Sequence, residues 1–243
     1  MSILLLLFGI LAGAVTLRVT GIGFALIAAP FFVIALGPWN ALGLIHLTGV
    51  AACLVLAWRL RKEVDRRLAL ELGAWAALMA IPGTWLSFVV PERVLQLAIG
   101  IGLLISLAIM VSFRDLPKVD GPIVRAITGM ICGAFTYTAG MGGPAMTIYS
   151  RLSHWPHQRF VATLQPMFAV LGTGGLLVRY SVSGELLPPV PSWIWVGAAA
   201  MLLGGLRVGD LLTRFISVSG ARQAALLVAF GGCLVTIGQA VIG

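Results

Sequence analysis

The chain has 243 residues, of which 60% are hydrophobic and 10% are charged, and its mean hydropathy is +1.05. Soluble domains carry about 25% charged residues, so this composition excludes a soluble globular protein and indicates a polytopic membrane protein. The net charge of +8 could suit nucleic acid. However, the basic residues lie in short loops between apolar segments, as the positive-inside rule describes, and we expect no nucleic-acid partner.

The first element is an apolar segment over residues 2–36, interrupted by the glycines of Gly21-Ile22-Gly23. A second segment, 123–150, is interrupted in the same way at Gly140-Met141-Gly142-Gly143. Glycine weakens a helix and permits positive φ, which we expect at these positions. A broken helix is tolerated in a bilayer only where its freed backbone groups face protein or a wet cavity. Two such breaks predict paired hairpins at a transport site.

The other apolar segments predict six transmembrane helices, so that the chain forms one integral membrane domain made of two repeats. Repeat 1 covers 1–122, with hairpin 2–36 and helices 41–58, 68–90 and 94–112. Repeat 2 covers 123–243, with hairpin 123–150 and helices 160–180, 192–212 and 221–241. The span 68–90 is interrupted by Pro82-Gly83.

Loop charge predicts the orientation of these segments. Residues 59–67 hold five basic and two acidic residues, and 151–159 are also basic, so both loops are expected in the cytoplasm. This requires residues 126–150 to begin and end on the same side, as a hairpin does. By analogy the N-terminal segment is also a hairpin, which places both termini outside. Three further crossings then invert the second half relative to the first. Charge counting leaves open whether each hairpin is re-entrant or two short full spans.

An offset of 119 residues superposes Gly21-Ile22-Gly23 on Gly140-Met141-Gly142 and carries His46 onto Gln165. Each break exposes the N-terminus of a following helix, which offers free N–H groups and roughly half a positive charge. We therefore predict that a small anion binds between the breaks. The candidate substrate-binding residues are Arg18, Thr20, Gly21, Gly23, His46, Tyr137, Thr138, Gly140, Gly142, Gly143 and Gln165.

The polar members of this set each have a second interpretation. Arg18 is expected to contribute charge to anion binding because few acidic residues lie near it in sequence, but it could instead snorkel at a span end or form a structural pair. The hydroxyls of Thr20 and Thr138 either face the ligand or bond to carbonyls one turn earlier. His46 is either a proton carrier or a packing residue.

A paired apolar segment ending in Gly-x-Gly-Gly, as in Gly140-Met141-Gly142-Gly143-Pro144, resembles the sulfite exporter TauE/SafE family. The resemblance extends over nearly the whole chain in size, in its two halves, in the early glycine motif of each half and in the basic loop. It implies a multi-pass protein of the bacterial cytoplasmic membrane that exports small sulfur oxyanions or organosulfonates.

The sequence thus predicts a secondary transporter of small anions that works by rocking of two inverted halves. A passive anion channel, a membrane-embedded enzyme and a non-transporting subunit are the alternatives. An enzyme would need a nucleophile–base pair, paired carboxylates or a metal cluster, and no such spacing is present. We expect no cofactor and no metal. The expected partners are a small anionic substrate and the lipid bilayer, and homo-oligomerisation is left open.

The predicted topology can be tested by cysteine accessibility on a cysteine-free background. Cysteines placed at 59–67, 113–125 and 151–159 should all be labelled from the cytoplasmic face, because these loops carry the basic residues. Labelling of 113–125 and 151–159 from opposite faces would show that residues 126–150 cross the membrane once, contrary to the hairpin.

Overall fold

The structure, a computed structural model, describes residues 2–91, 93–95, 97, 101, 118–185 and 190–215. Every regular element within these residues is an α-helix, so the all-α prediction is confirmed. The predicted span 94–112 lies largely outside the described residues, and 221–241 lies wholly outside them. The described helices are α1 (Ser2–Thr20), α2 (Phe24–Leu36), α3 (Pro38–Arg59), α4 (Arg66–Ala77), α5 (Ala80–Val89), α6 (Pro122–Ala139), α7 (Gly143–Leu152), α8 (His157–Ser183) and α9 (Ser192–Phe215).

Four of these helices (α1, α3, α8 and α9) contain stretches long and apolar enough to cross a membrane, and α4 with α5 makes a fifth if the bent pair is one span. The second legs of the two hairpins are shorter, with 13 residues in α2 and 10 in α7. They rise roughly 20 and 15 Å, whereas a bilayer core is about 30 Å thick. These lengths favour re-entrant hairpins over pairs of full spans.

Each hairpin break is confined to three residues, 21–23 and 140–142. Gly21 (φ 78°), Gly23 (φ 104°) and Gly140 (φ 75°) have left-handed backbone conformations that favour glycine because it has no Cβ. Gly142 differs, because its φ of −76° is helical. The prediction of positive φ is therefore correct at Gly21, Gly23 and Gly140 and wrong at Gly142 and Gly143. At Gly142 the reason for glycine is space, since a Cβ there would lie 2.2 Å from Thr136 Oγ1.

The span predicted at 68–90 is bent by 40° between α4 and α5, at Leu78 and Met79. The sequence placed this interruption at Pro82-Gly83, one turn later. Proline lacks an N–H, and its ring clashes with the carbonyl four residues earlier, which here belongs to Leu78. The helix therefore breaks where Pro82 disturbs the backbone and not at Pro82 itself.

Helices α3 and α8, called the central helices below, pack against each other along much of their length. Glycines at the contact remove side chains and let the two backbones approach closely. The contacts run in opposite directions along the two helices, so the pair is antiparallel. Successive contacts join Gly43 to Arg179, His46 to Gly175, and Val50 to Gly172.

The first leg of each hairpin packs against a helix of the other half: α1 lies on α9, and α6 lies on α4 and α5. The motif Gly205-xxx-Gly209 faces α1, and Gly129-xxx-Gly133 faces α4. A Cβ on Gly133 would lie 2.1 Å from the Ala76 carbonyl oxygen. These motifs are therefore packing surfaces, as their spacing predicts.

Gly133→Ala should destabilise the protein, because the new methyl group overlaps backbone that cannot move alone. Overpacking of this kind costs about 1–3 kcal/mol. Gly204→Ala is the matched control, since a Cβ at Gly204 meets no atom of the described residues within 4 Å. Thermal unfolding in detergent should show a lower Tm for Gly133→Ala only. Equal Tm values for the two variants would contradict the close packing of α6 on α4.

Candidate substrate-binding site

The two glycine breaks meet at one cavity of about 80 Å³. This volume is several times the roughly 10–15 Å³ that a single water requires. The break residues 22–23 and 140–142, the first turn of α2 and the start of α7 line one side of it, together with Leu17 of α1 and Thr136 of α6. The middle of α3, from Ile45 to Cys53, and the middle of α8, at Phe168 and Gly172, line the rest. The cavity therefore lies about halfway along both central helices.

The tips of the two hairpins touch each other beside this cavity. A Cβ on Gly143 would lie 3.4 Å from the Cβ of Ile22, which is ordinary van der Waals contact. Gly21 packs against Val161 of α8, and Gly140 packs against Leu42 and Ile45 of α3. Each tip is thus held between the opposite tip and a central helix of the other half.

The electrostatics of the cavity come from backbone and not from ionised side chains. Gly23 precedes α2 and Gly142 precedes α7, and neither glycine has a side chain that could accept a hydrogen bond from the first turn. The first-turn N–H groups of both helices therefore have no side-chain cap. No Arg, Lys, Asp or Glu is among the described residues that line the cavity. Two helix N-termini with roughly half a positive charge each suit a small anion.

Two side chains tie the halves together at the breaks. His46 Nε2 lies 3.1 Å from the Thr136 carbonyl oxygen, and since a carbonyl only accepts, Nε2 carries the hydrogen. Gln165 Nε2 donates to the carbonyl of Gly21 at 3.0 Å and to that of Val161 at 2.9 Å. The residues that the 119-residue offset pairs, His46 and Gln165, therefore perform the same task in opposite halves. A role of His46 in proton transfer stays a prediction.

The hydroxyl groups near the breaks bond within the protein. Thr20 Oγ1 donates to the Thr16 carbonyl at 2.8 Å, and Thr138 Oγ1 donates to the Ala134 carbonyl at 2.6 Å. Both bonds are the one-turn back-bonding that the sequence offered as the alternative. Tyr137 is 1% exposed, and its ring contacts that of His46 with centroids 6.3 Å apart.

Arg18 does not line the cavity. Its Nε donates to Asp210 Oδ1, and Arg59 Nη1 donates to Asp210 Oδ2 at 2.8 Å. The expectation that Arg18 lacks an acidic partner is therefore wrong. Asp210 lies 192 residues away in the chain, so sequence proximity gave no sign of it.

A buried arginine that the sequence interpretation missed closes the α3–α8 seam near Pro38. Arg179 is 2% exposed, and its Nη1 and Nη2 donate to the Trp39 carbonyl at 2.7 Å and to Asn40 Oδ1 at 3.0 Å. Its guanidinium carbon lies 4.4 Å from the centroid of the Trp39 ring. The available signal was a single arginine near the end of the predicted span 160–180.

The structure thus brings part of the predicted set to the cavity. The lining members are Gly23, His46, Gly140, Gly142 and Gly143. The members that lie near the breaks without lining the cavity are Arg18, Thr20, Gly21, Tyr137, Thr138 and Gln165. The apolar lining of α3 and α8, including Gly49, Val50, Cys53 and Phe168, has no polar signal in sequence and was missed.

Comparison with known proteins gives one family. The sequence profile described as Sulfite exporter TauE/SafE matches residues 5–237, which is nearly the whole chain. No curated protein and no solved structure matches the chain significantly.

Gly142→Ala should reduce anion flux, because a Cβ there would lie 2.2 Å from Thr136 Oγ1 and 2.6 Å from Cys132 Sγ. The start of α7 would be pushed away from α6, which widens or tilts the site. We expect the initial rate of anion flux in proteoliposomes to fall roughly tenfold or more, because overpacking strain of about 1–3 kcal/mol would displace the helix N-terminus that faces the anion.

Gly143→Ala is the control, since its Cβ only reaches ordinary contact with Ile22. This variant should retain most of the wild-type flux. If Gly142→Ala transports as well as Gly143→Ala, the position of the α7 N-terminus does not matter to the site.

Proposed function

The chain belongs to the sulfite exporter TauE/SafE family, and from this membership we propose that it is a secondary exporter of small anions. Sulfur oxyanions or organosulfonates such as sulfite are the proposed substrates. The observation that carries the proposal is the meeting of both glycine breaks at one cavity, halfway along α3 and α8. Binding near the midplane, between broken helices, is the arrangement of many secondary transporters.

The proposed substrate site replaces water around an anion with backbone N–H groups. The N-termini of α2 and α7 approach the cavity from opposite hairpins, and His46 and Thr136 add polar atoms beside them. The two dipole ends together offer about one positive charge, which does not have to be neutralised when the site is empty. Such a site can bind a small anion and still release it, whereas the full charge of a buried guanidinium would bind the anion more tightly.

Contacts related by a single offset support two inverted halves. Gly21 packs on Val161, and Gly140 packs on Leu42. The 119-residue offset relates Gly21 to Gly140 and Leu42 to Val161, so the two contacts are equivalent in the two halves. The helices that carry Leu42 and Val161, α3 and α8, run antiparallel. Antiparallel packing of equivalent helices is what an inverted repeat requires, so we propose that the halves are related in this way.

The two ends of the central seam differ, which favours a transporter over a channel. Toward Pro38, Arg179 fills the seam beside Gly43 and bonds to the start of α3. Toward Arg59, the cavity extends past His46 as far as Cys53. A seam closed at one end and hollow at the other corresponds to one state of alternating access, in which rocking of the halves would exchange the open and closed ends.

A proteoliposome assay tests this function. Purified protein should transport sulfite or a small sulfonate faster than protein-free vesicles, and unlabelled substrate on the far side should accelerate labelled uptake. Such counterflow is expected for alternating access, because the loaded site returns faster than the empty one, and it is not expected for a pore. A panel with sulfate and small carboxylates would define selectivity.

Flux without counterflow would indicate a channel. An absence of flux for every anion in the panel, from protein that binds none of them in detergent, would refute the proposal.

A further inference from the structure

We propose that Arg18 and Arg59, bridged by Asp210, form a second anion site between the cavity and the Arg59 end of α3. The Asp210 carboxylate occupies the position between the two guanidiniums that a transported oxyanion would take temporarily. This inference rests on the proposed function, because it assigns a further binding step on the same anion pathway.

The two arginines hold the Asp210 carboxylate as they would hold a bound oxyanion. Arg18 Nε bonds one carboxylate oxygen of Asp210, and Arg59 Nη1 bonds the other at 2.8 Å. A guanidinium has five N–H donors, and each arginine uses one of them here. Within the described part of the chain, neither guanidinium makes another hydrogen bond. Donors therefore remain for a second oxyanion beside Asp210 or in its place.

The charge of the cluster does not balance. Two guanidiniums face one carboxylate, so Arg18, Arg59 and Asp210 together carry a surplus of one positive charge. Their side chains are 27%, 28% and 33% exposed, respectively, so water screens this surplus only in part. A partly screened positive charge with unused donors attracts a small anion.

The cluster lies next to the cavity on the hollow side of the seam. Arg18 follows Leu17, which lines the cavity, and Arg59 lies about 9 Å along α3 from Cys53, the last lining residue of that helix. Arg59 also begins the basic loop 59–67, which we expect to face the cytoplasm. An anion that leaves the basic loop for the cavity would thus meet the cluster first.

A second ion-pair cluster, around Arg125, has the opposite balance. Arg125 bonds both Asp120, at 2.7 Å, and Glu71, at 3.0 Å, so two carboxylates face one guanidinium. The hydrogen bond from Arg125 holds the pKa of Asp120 at about 2, so Asp120 stays ionised near neutral pH. This cluster has no surplus positive charge and provides a matched control.

The sign of the effect on affinity separates a binding cluster from a purely structural one. Asp210→Asn removes the competing carboxylate, so the KM for sulfite at the Arg59 face should fall roughly three- to tenfold, the range of a partly exposed charge contact. The maximal rate should fall as well, because nothing then displaces the anion from the two arginines. Arg59→Gln and Arg18→Gln should raise the same KM by a similar factor.

The experiment measures KM and maximal rate for sulfite in proteoliposomes of known protein orientation, and sulfite binding to the purified protein in detergent by calorimetry. Asp210→Glu keeps the charge, so its KM should lie closer to the wild-type value than the KM of Asp210→Asn does. Asp120→Asn, outside the cluster, should leave KM unchanged. Opposite KM changes for Asp210→Asn and Arg59→Gln would support the site.

A KM that rises in all three variants, or does not change in any, would overturn the site and leave the cluster structural. Calorimetry reports the same signs if a variant folds but transports too slowly to measure. The proposed transport function is tested separately by anion flux through the wild-type protein. Failure of the Arg18–Asp210–Arg59 site can therefore be distinguished from failure of the transport function.

Discussion

The architecture depends on one constraint: backbone N–H and C=O groups inside a bilayer must find partners within the protein. Two helices of this chain break there nonetheless. The carbonyl of Gly21 accepts a hydrogen bond from Gln165. The carbonyl of Thr136, in the last turn of α6, accepts from Gly140 N and is also bonded by His46, so a side chain from the other half contacts the backbone at each break. The residues that follow the breaks line a shared cavity. The breaks are therefore tolerated because they face each other.

Much of the fold follows from patterns that are local in sequence. Glycine density predicted both breaks, loop charge predicted the second hairpin, and the 119-residue offset paired His46 with Gln165. The predictions that were wrong concern contacts between residues that are far apart in sequence, or effects that act one turn away from the residue that causes them. Asp210 is far from Arg18 in the chain, and no local pattern joins them. Pro82 marks a bend that lies one turn earlier, because its ring acts on a carbonyl that precedes it.

The site itself was predictable only in its backbone part. Glycines predict a break because they permit backbone conformations that interrupt a helix, and Gly23, Gly140, Gly142 and Gly143 line the cavity as expected. The apolar residues of α3 and α8 that complete the wall resemble any other span residue in sequence. Arg179 was overlooked for a related reason, since only the packing of α3 on α8 shows that it is buried against Trp39 and Asn40.

The support of Gly21 by Gln165 also has a consequence for biogenesis. The two residues are 144 positions apart, so the first hairpin is inserted long before its partner has been synthesised. At the usual rate of translation this interval lasts on the order of ten seconds. During that time the carbonyl of Gly21 must be solvated by water, lipid head groups or an insertion factor. The hydrogen bond that supports the first hairpin can thus form only after Gln165 of the second half has entered the membrane.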